Sequence, residues 1–128
     1  MSFRYSGGWL QSGGFNPVVA PTPSSPVYTY YLYDWGNNIY GQLGLGFNGN
    51  YSSPIQVGAL TTWSQIAFGF SHIIATKTDG TLWSWGNNGQ GQLGLGNRTY
   101  YSSPKQVGAL TTWLSISSGG TNSLGIHT

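Results

Sequence analysis

Residues 85–96 read WGNNGQGQLGLG, and residues 35–46 read WGNNIYGQLGLG. One Gly-rich run therefore occurs twice at an interval of 50 positions, with no evident catalytic group in either copy. Sliding the chain against itself by that interval aligns residues 32–78 with 82–128 without a gap. Trp35 meets Trp85, Pro54 meets Pro104, Trp63 meets Trp113, and QVGALTTW at 56–63 returns unchanged at 106–113. Such a period marks a solenoid, propeller or array, in which each repeat has a hydrophobic face that it cannot bury alone. The repeated run is thus read as part of a structural unit.

The local pattern says which unit. LWSWG at 82–86 puts Leu82, Ser84 and Gly86 on one side and both tryptophans on the other, the alternation of a strand. HIIATKT (72–78), PKQV (104–107) and WLSIS (113–117) are three further short strand candidates. TDGT at 78–81 places an Asp-Gly turn between two such runs, a strong hairpin signal. Four strands per period suggest a propeller blade. Helix has little support because Gly and Pro interrupt every candidate apolar face, although GALTT at 58–62 and 108–112 has room for a single turn. GQLGLG at 41–46 and 91–96 is read as a loop in which the glycines allow close backbone approach and the leucines act as plugs. Dinucleotide and phosphate loops need a helix directly after the glycines or a Lys followed by Ser or Thr. Here FNGNYSSP and NRTYYSSP follow instead.

Composition agrees with a turn-rich β protein. Charged residues are 5% of the chain, against about a quarter in ordinary soluble domains, whereas the sequence holds 21 Gly, 6 Trp and 9 Tyr. In 128 residues without cysteine the core has no disulfide or thiolate metal site to reinforce it. The formal net charge of +2 is too small for a groove that tracks phosphates, so no nucleic-acid partner is expected. No apolar stretch is long enough to span a bilayer, and Arg4 is followed by SGGWLQSGG rather than the core of a secretory signal. The reading is a soluble, non-secreted chain without membrane insertion.

The succession WGNNGQGQLGLG, SSPKQV and WSQIAFGFSHIIATKTDGTLWSWG resembles the repeat of the regulator of chromosome condensation family. The hallmarks are the Trp-Gly-x-Asn opening, the Gly-Gln-Leu-Gly-Leu-Gly loop, a Pro-x-x-Val strand, a Gly-x-x-His element and an Asp-Gly return to the next Trp-Gly. The resemblance covers residues 32–128 and implies an all-β propeller with four-stranded blades. Family members such as the eukaryotic exchange factor close seven blades in one chain, so no nucleotide-exchange or chromatin role is carried over. In the second copy Gly-x-x-His has become GGTN, with Asn122 at the position of His72.

Two repeats fall below the three or so that stacking needs and leave open strand edges. The expected repair is a head-to-tail homo-oligomer in which strands ending at Thr128 lie beside Tyr30 to Trp35 of the next copy. Tyr30, Leu32, Trp35, Leu124 and Ile126 are the candidate subunit-interface residues. Propellers of about four to eight blades permit two to four chains, with the six-bladed trimer favoured.

Residues 1–27 differ in texture. PTPSSP at 21–26 is a linker-type segment between an N-terminal arm and the repeats at 28–128. The arm carries Phe3, Arg4, Tyr5, Trp9, Leu10 and Phe15, large apolar side chains and one cation that suit docking on another protein. This aromatic-basic start with its Pro/Ser/Thr spacer, together with compact GALTTW repeats, is similar to small virion proteins of marine and freshwater tailed phages.

Chemistry has few residues to work with. His72 lacks the orienting carboxylate and further ligands that catalysis or metal binding requires, so it is read as structural, bonding neighbouring backbone within its blade. No catalytic, cofactor-binding or metal residue is expected. Asn37, Asn38, Gln42, Asn87, Asn88, Gln90 and Gln92 suit either the satisfaction of Gly-rich turns or a sugar site, and Tyr51, Tyr100 and Tyr101 are the candidate ligand-loop aromatics. The sequence therefore points to a non-enzymatic structural protein of a phage virion, as a capsid decoration or tail-associated component. The arm would bind another virion protein, and the alternative is a propeller lectin or adhesin that binds host-surface glycans.

Overall fold

The structure, a computed structural model, describes residues 28–128. The arm residues Phe3, Arg4, Tyr5, Trp9, Leu10 and Phe15 and the Pro/Ser linker lie outside the described residues. Eight strands follow in order among the described residues: β1 (Tyr33–Gly36), β2 (Tyr51–Gln56), β3 (Trp63–Phe68), β4 (His72–Lys77), β5 (Leu82–Gly86), β6 (Tyr101–Gln106), β7 (Trp113–Ser118) and β8 (Ser123–His127). No helix forms among them, and GALTT holds a bend rather than a helical turn in both copies.

All strands pair antiparallel with their sequence neighbours, but in three groups. A complete four-stranded blade, β3-β4-β5-β6, stands between two half-blades, β1-β2 and β7-β8. The sequence period and the blade are therefore out of phase. The complete blade takes β3 and β4 from the first repeat and β5 and β6 from the second, so the repeats at 32–78 and 82–128 each straddle two blades. The physical reason is the hairpin at Asp79-Gly80, which welds the end of one repeat to the start of the next. Lys77 N donates to Thr81 O and Gly80 N to Lys77 O, while Asp79 Oδ1 accepts from Thr81 N at 3.0 Å and from Thr81 Oγ1. These hydroxyl and amide donors hold the Asp79 carboxyl below its usual range.

β6 begins three residues earlier than the Pro-x-x-Val run indicates, because Tyr101 pairs with Gly86. Between Ser84 and Gly86 the register shifts, as it does between Asp34 and Gly36. The pairing irregularity thus falls at each Trp of the Trp-Gly pair, while Trp83 and Trp85 keep the alternation and share one face. In the complete blade the Trp85 ring is buried against Trp63, the centroids 5.6 Å apart at 56°. Ile73 and Ala75 complete the cluster, with Leu32 and Trp83 packed against it. Every residue of β4 is buried, which leaves Lys77 Nζ over the Trp83 ring at 3.4 Å and 5.2 Å from that of Trp63. Burial pushes the Lys77 pKa below its ordinary value, and nearby Asp79 acts in the opposite sense.

Trp85 is the largest fully buried side chain. Truncation to Ala removes most of the roughly 150–250 Å² that such a ring buries, and Trp85→Ala is expected to cost about 3–5 kcal/mol. Chemical denaturation of both proteins checks this, and a loss below about 1 kcal/mol would remove Trp85 from the centre of the fold.

Candidate functional site

The polar and Gly-rich surfaces converge on the joints between blades. Each joint is built by a GQLGLG loop whose shape comes from amide side chains. Asn38, fully buried, donates from Nδ2 to Phe47 O at 2.8 Å and accepts Leu43 N on Oδ1 at 2.9 Å. Asn37 Oδ1 accepts Gln42 Nε2 at 2.8 Å, and Gln42 Oε1 accepts Tyr40 N at 2.9 Å. The second loop repeats this scheme: Asn88 accepts Leu93 N and donates to Asn97 O and Thr99 O, while Asn87 and Gln92 close the outer ring. Six of the seven amide side chains singled out in the sequence are thus committed to their own loops, and the side chain of Gln90 is exposed. Leu43 and Leu93 are buried plugs, while Leu45 and Leu95 are half-buried.

The first loop lies across the complete blade. Gln42 O accepts the indole N–H of Trp85 at 2.9 Å, and Gly46 N donates to Ser102 O at 2.6 Å. Gly44, with φ +70°, sits so close to the indole that a Cβ there would lie 2.8 Å from Trp85 Nε1. Glycine is therefore required both by backbone conformation and by space.

The second loop lies against β8, where Gln92 O accepts the Ser123 hydroxyl at 2.8 Å. His72 joins this contact from β4. Its Nε2 lies 2.9 Å from both Ser118 Oγ and Ser123 Oγ, and Ser118 Oγ also donates to Asn122 O at 3.2 Å. His72 thus bonds hydroxyls of the neighbouring half-blade rather than backbone of its own blade, correcting the sequence reading. Ser118 and Ser123 gave no signal as partners because they are 46 and 51 positions away. Both hydroxyls also reach carbonyls, Ser118 Oγ that of Asn122 and Ser123 Oγ that of Gln92, an arrangement that suits the tautomer with its proton on Nε2. Nδ1 is buried with no partner, and burial lowers the His72 pKa from its ordinary value. The imidazole also explains the Gly-x-x-His spacing, since a Cβ on Gly69 would collide with the His72 ring. Where Asn122 replaces the histidine, Gly119 has open space around it.

Of the expected interface residues, Trp35 lies on the outer strand β1 and Leu124 and Ile126 on the outer strand β8, whereas Tyr30 is bridged to Thr62. Tyr30, Trp35, Leu124 and Ile126 are exposed. Leu32 is half-buried against the chain's own core and accepts Val57 N on its carbonyl at 2.8 Å. The three candidate ligand-loop tyrosines do not form one platform. Tyr100 is exposed and meets Tyr40 edge-on at 5.6 Å, a partner that the sequence reading missed. Tyr51 packs on Phe47 at 5.8 Å, and Tyr101 lies beneath Lys105 Nζ at 5.4 Å. Among the described residues no three His, Cys, Asp or Glu side chains gather in a metal-binding group.

Acid titration should weaken the His72 joint. Because its folded pKa lies below the 6.5 of the unfolded chain, the unfolded state binds more protons in that interval. Stability is full above pH 6.5 and declines as pH falls toward the folded pKa. Denaturation midpoints between pH 8 and pH 5 should show the decline, and His72→Asn should flatten it at a cost of about 1–3 kcal/mol. An unchanged slope in the variant would assign the dependence elsewhere.

The model of the regulator of chromosome condensation (RCC1) repeat matches residues 31–76 and 79–126, and a second model of the same repeat matches residues 63–92. Among solved structures, human WBSCR16 aligns with a TM-score of 0.66 at 25% identity, covering 77% of this chain and 26% of that one. The structure of Kap60 bound to yeast RCC1 (Prp20) aligns with a TM-score of 0.62 at 27% identity, covering 77% and 24%. A structure of Prp20p from Saccharomyces cerevisiae, at 18% identity and TM-score 0.61, shares the fold. This chain spans about a quarter of the length of those proteins. Two consecutive repeat matches, the loop-on-indole joint and the four-stranded blade place the chain in the regulator of chromosome condensation repeat family, with a β-propeller fold.

Proposed function

We propose that this protein is a non-enzymatic interaction module whose propeller blades present surfaces to other proteins. The observation that carries the reading is where its polar groups are spent. The loop amides and His72 close the blades on each other, whereas the large exposed side chains Trp35, Leu124 and Ile126 stand on strand edges. Exposed apolar edges of this kind are association surfaces. Such a division suits assembly better than turnover of a small molecule.

The finer reading is a structural component of a tailed-phage virion, held on the particle by the segment at residues 1–27. Its support is the likeness of that segment and of the compact GALTTW repeats to small virion proteins. Phe3, Tyr5, Trp9, Leu10 and Phe15 would supply the apolar contacts and Arg4 the charged one. Glycan binding at the loops is the less favoured reading, since the amides that would bind hydroxyls already bond their own backbone.

The test is sedimentation of the full chain and of a chain lacking residues 1–20 with phage particles. The full chain is expected to travel with the particles and the shortened one to stay behind while keeping its β-sheet circular dichroism. Equal incorporation of both would remove the arm from the anchoring role.

A further inference from the structure

The two half-blades are the two halves of one blade. β7-β8 occupies the sequence positions of β3-β4, and β1-β2 those of β5-β6, each displaced by one period of 50 residues. The central blade therefore shows how β8 and β1 fit together. In it, Ile73 lies opposite Trp85, Ile74 opposite Ser84 and Ala75 opposite Trp83. Displaced by one period, those pairs become Ser123 with Trp35, Leu124 with Asp34 and Gly125 with Tyr33.

Exposure follows the same correspondence. Trp85 is 0% exposed and its counterpart Trp35 is 57%; Ile74 is 2% exposed and its counterpart Leu124 is 70%. Thr76 is buried, whereas Ile126, which replaces it, is 64% exposed. One joint is closed and its equivalents are open.

The open joint already contains a seat. Beside β8 lies a groove of about 390 Å³ bordered by Gln92, Gly94, Ser123 and Leu124. Gln92 and Gly94 stand one period after Gln42 and Gly44, the residues that accept and cover the Trp85 indole. A cavity of roughly 150 Å³ suffices for benzene, so this groove has room for an indole. The Gln92 carbonyl uses one lone pair on Ser123 Oγ and keeps a second for an indole N–H. Asp34 is the one formal charge at neutral pH on β1 and β8, so charge repulsion does not oppose their approach.

We infer that β8 of one copy pairs antiparallel with β1 of a second copy, seating Trp35 of the second copy in the groove between the 91–96 loop and β8. The result is a hybrid blade β7-β8-β1-β2 with the register of the central one. Each copy contributes two blades in total, and three copies make a ring of six. The inference concerns how copies join and stands whether or not the module sits on a phage particle.

The register is tested by mixing two single-cysteine variants of the full chain, Asp34→Cys and Leu124→Cys, under mild oxidation. The natural sequence contains no cysteine, so the background is nil. Directly opposed residues lie about 4.5–5.5 Å apart at Cα, within disulfide reach. The mixture is expected to give a linked pair, and Asp34→Cys with Ile126→Cys, out of register, is expected to give at least tenfold less. Native mass measurement should find a closed species of two to four subunits. Trp35→Ala and Leu124→Asp, both at positions exposed in the single chain, should yield monomers with unchanged circular dichroism. A full chain that remains monomeric at high micromolar concentration would overturn the pairing, leaving both edges to further repeats or a different protein. Preferential linkage to residue 126 would overturn the register.

Discussion

The contact on which the structure rests is an indole N–H donated to a loop carbonyl. Trp85 reaches Gln42 O because strand alternation sets its ring on the core face shared with Trp83 and because Gly44 leaves room for it. That contact covers the largest fully buried side chain and, with Gly46 N on Ser102 O and Leu32 on the core cluster, ties the first half-blade to the central blade. Burial of the ring contributes several kcal/mol through the area it withdraws from water. The hydrogen bond adds less, but it fixes where the loop sits. Without the loop, the ring would lose its cover and be solvated as Trp35 is.

The loop that covers the indole is held in shape by its own side chains. A Gly-rich segment without regular secondary structure loses much conformational freedom when ordered. The two buried asparagines offset this by supplying, from one side chain each, the acceptor and donor that a ladder would otherwise provide. The copies reach this end differently downstream. Asn38 N donates to Asn50 Oδ1 in the first, whereas Asn88 reaches Asn97 and Thr99 in the second. The segments FNGN and NRTY can thus differ fully while the loop keeps its shape.

Much of this was legible in the residues. Alternation around Trp83 and Trp85, the Asp-Gly turn and the apolar run at 72–78 locate β4, β5 and their hairpin, and the recurrent Trp63 and Trp113 mark the starts of β3 and β7. The phase of the blade was not legible, because a period records how often a pattern recurs and not where its sheets divide. Hydrogen bonding across the Asp79-Gly80 hairpin sets that division. The partners of His72 were equally hidden, since Ser118 and Ser123 come close only once two blades stack. Tyr40 was passed over for a related reason: its meeting with Tyr100 joins two loops about one period apart.

The offset between repeat and blade has a consequence for how such chains grow. Duplication of one repeat unit inserts the second half of one sheet and the first half of the next, so the new material is flush at both seams. The lengthened chain would present the same pair of free edges as its parent, and its circumference would increase by one wedge. A lineage built this way could lengthen or shorten by whole repeats while keeping the same division of each sheet.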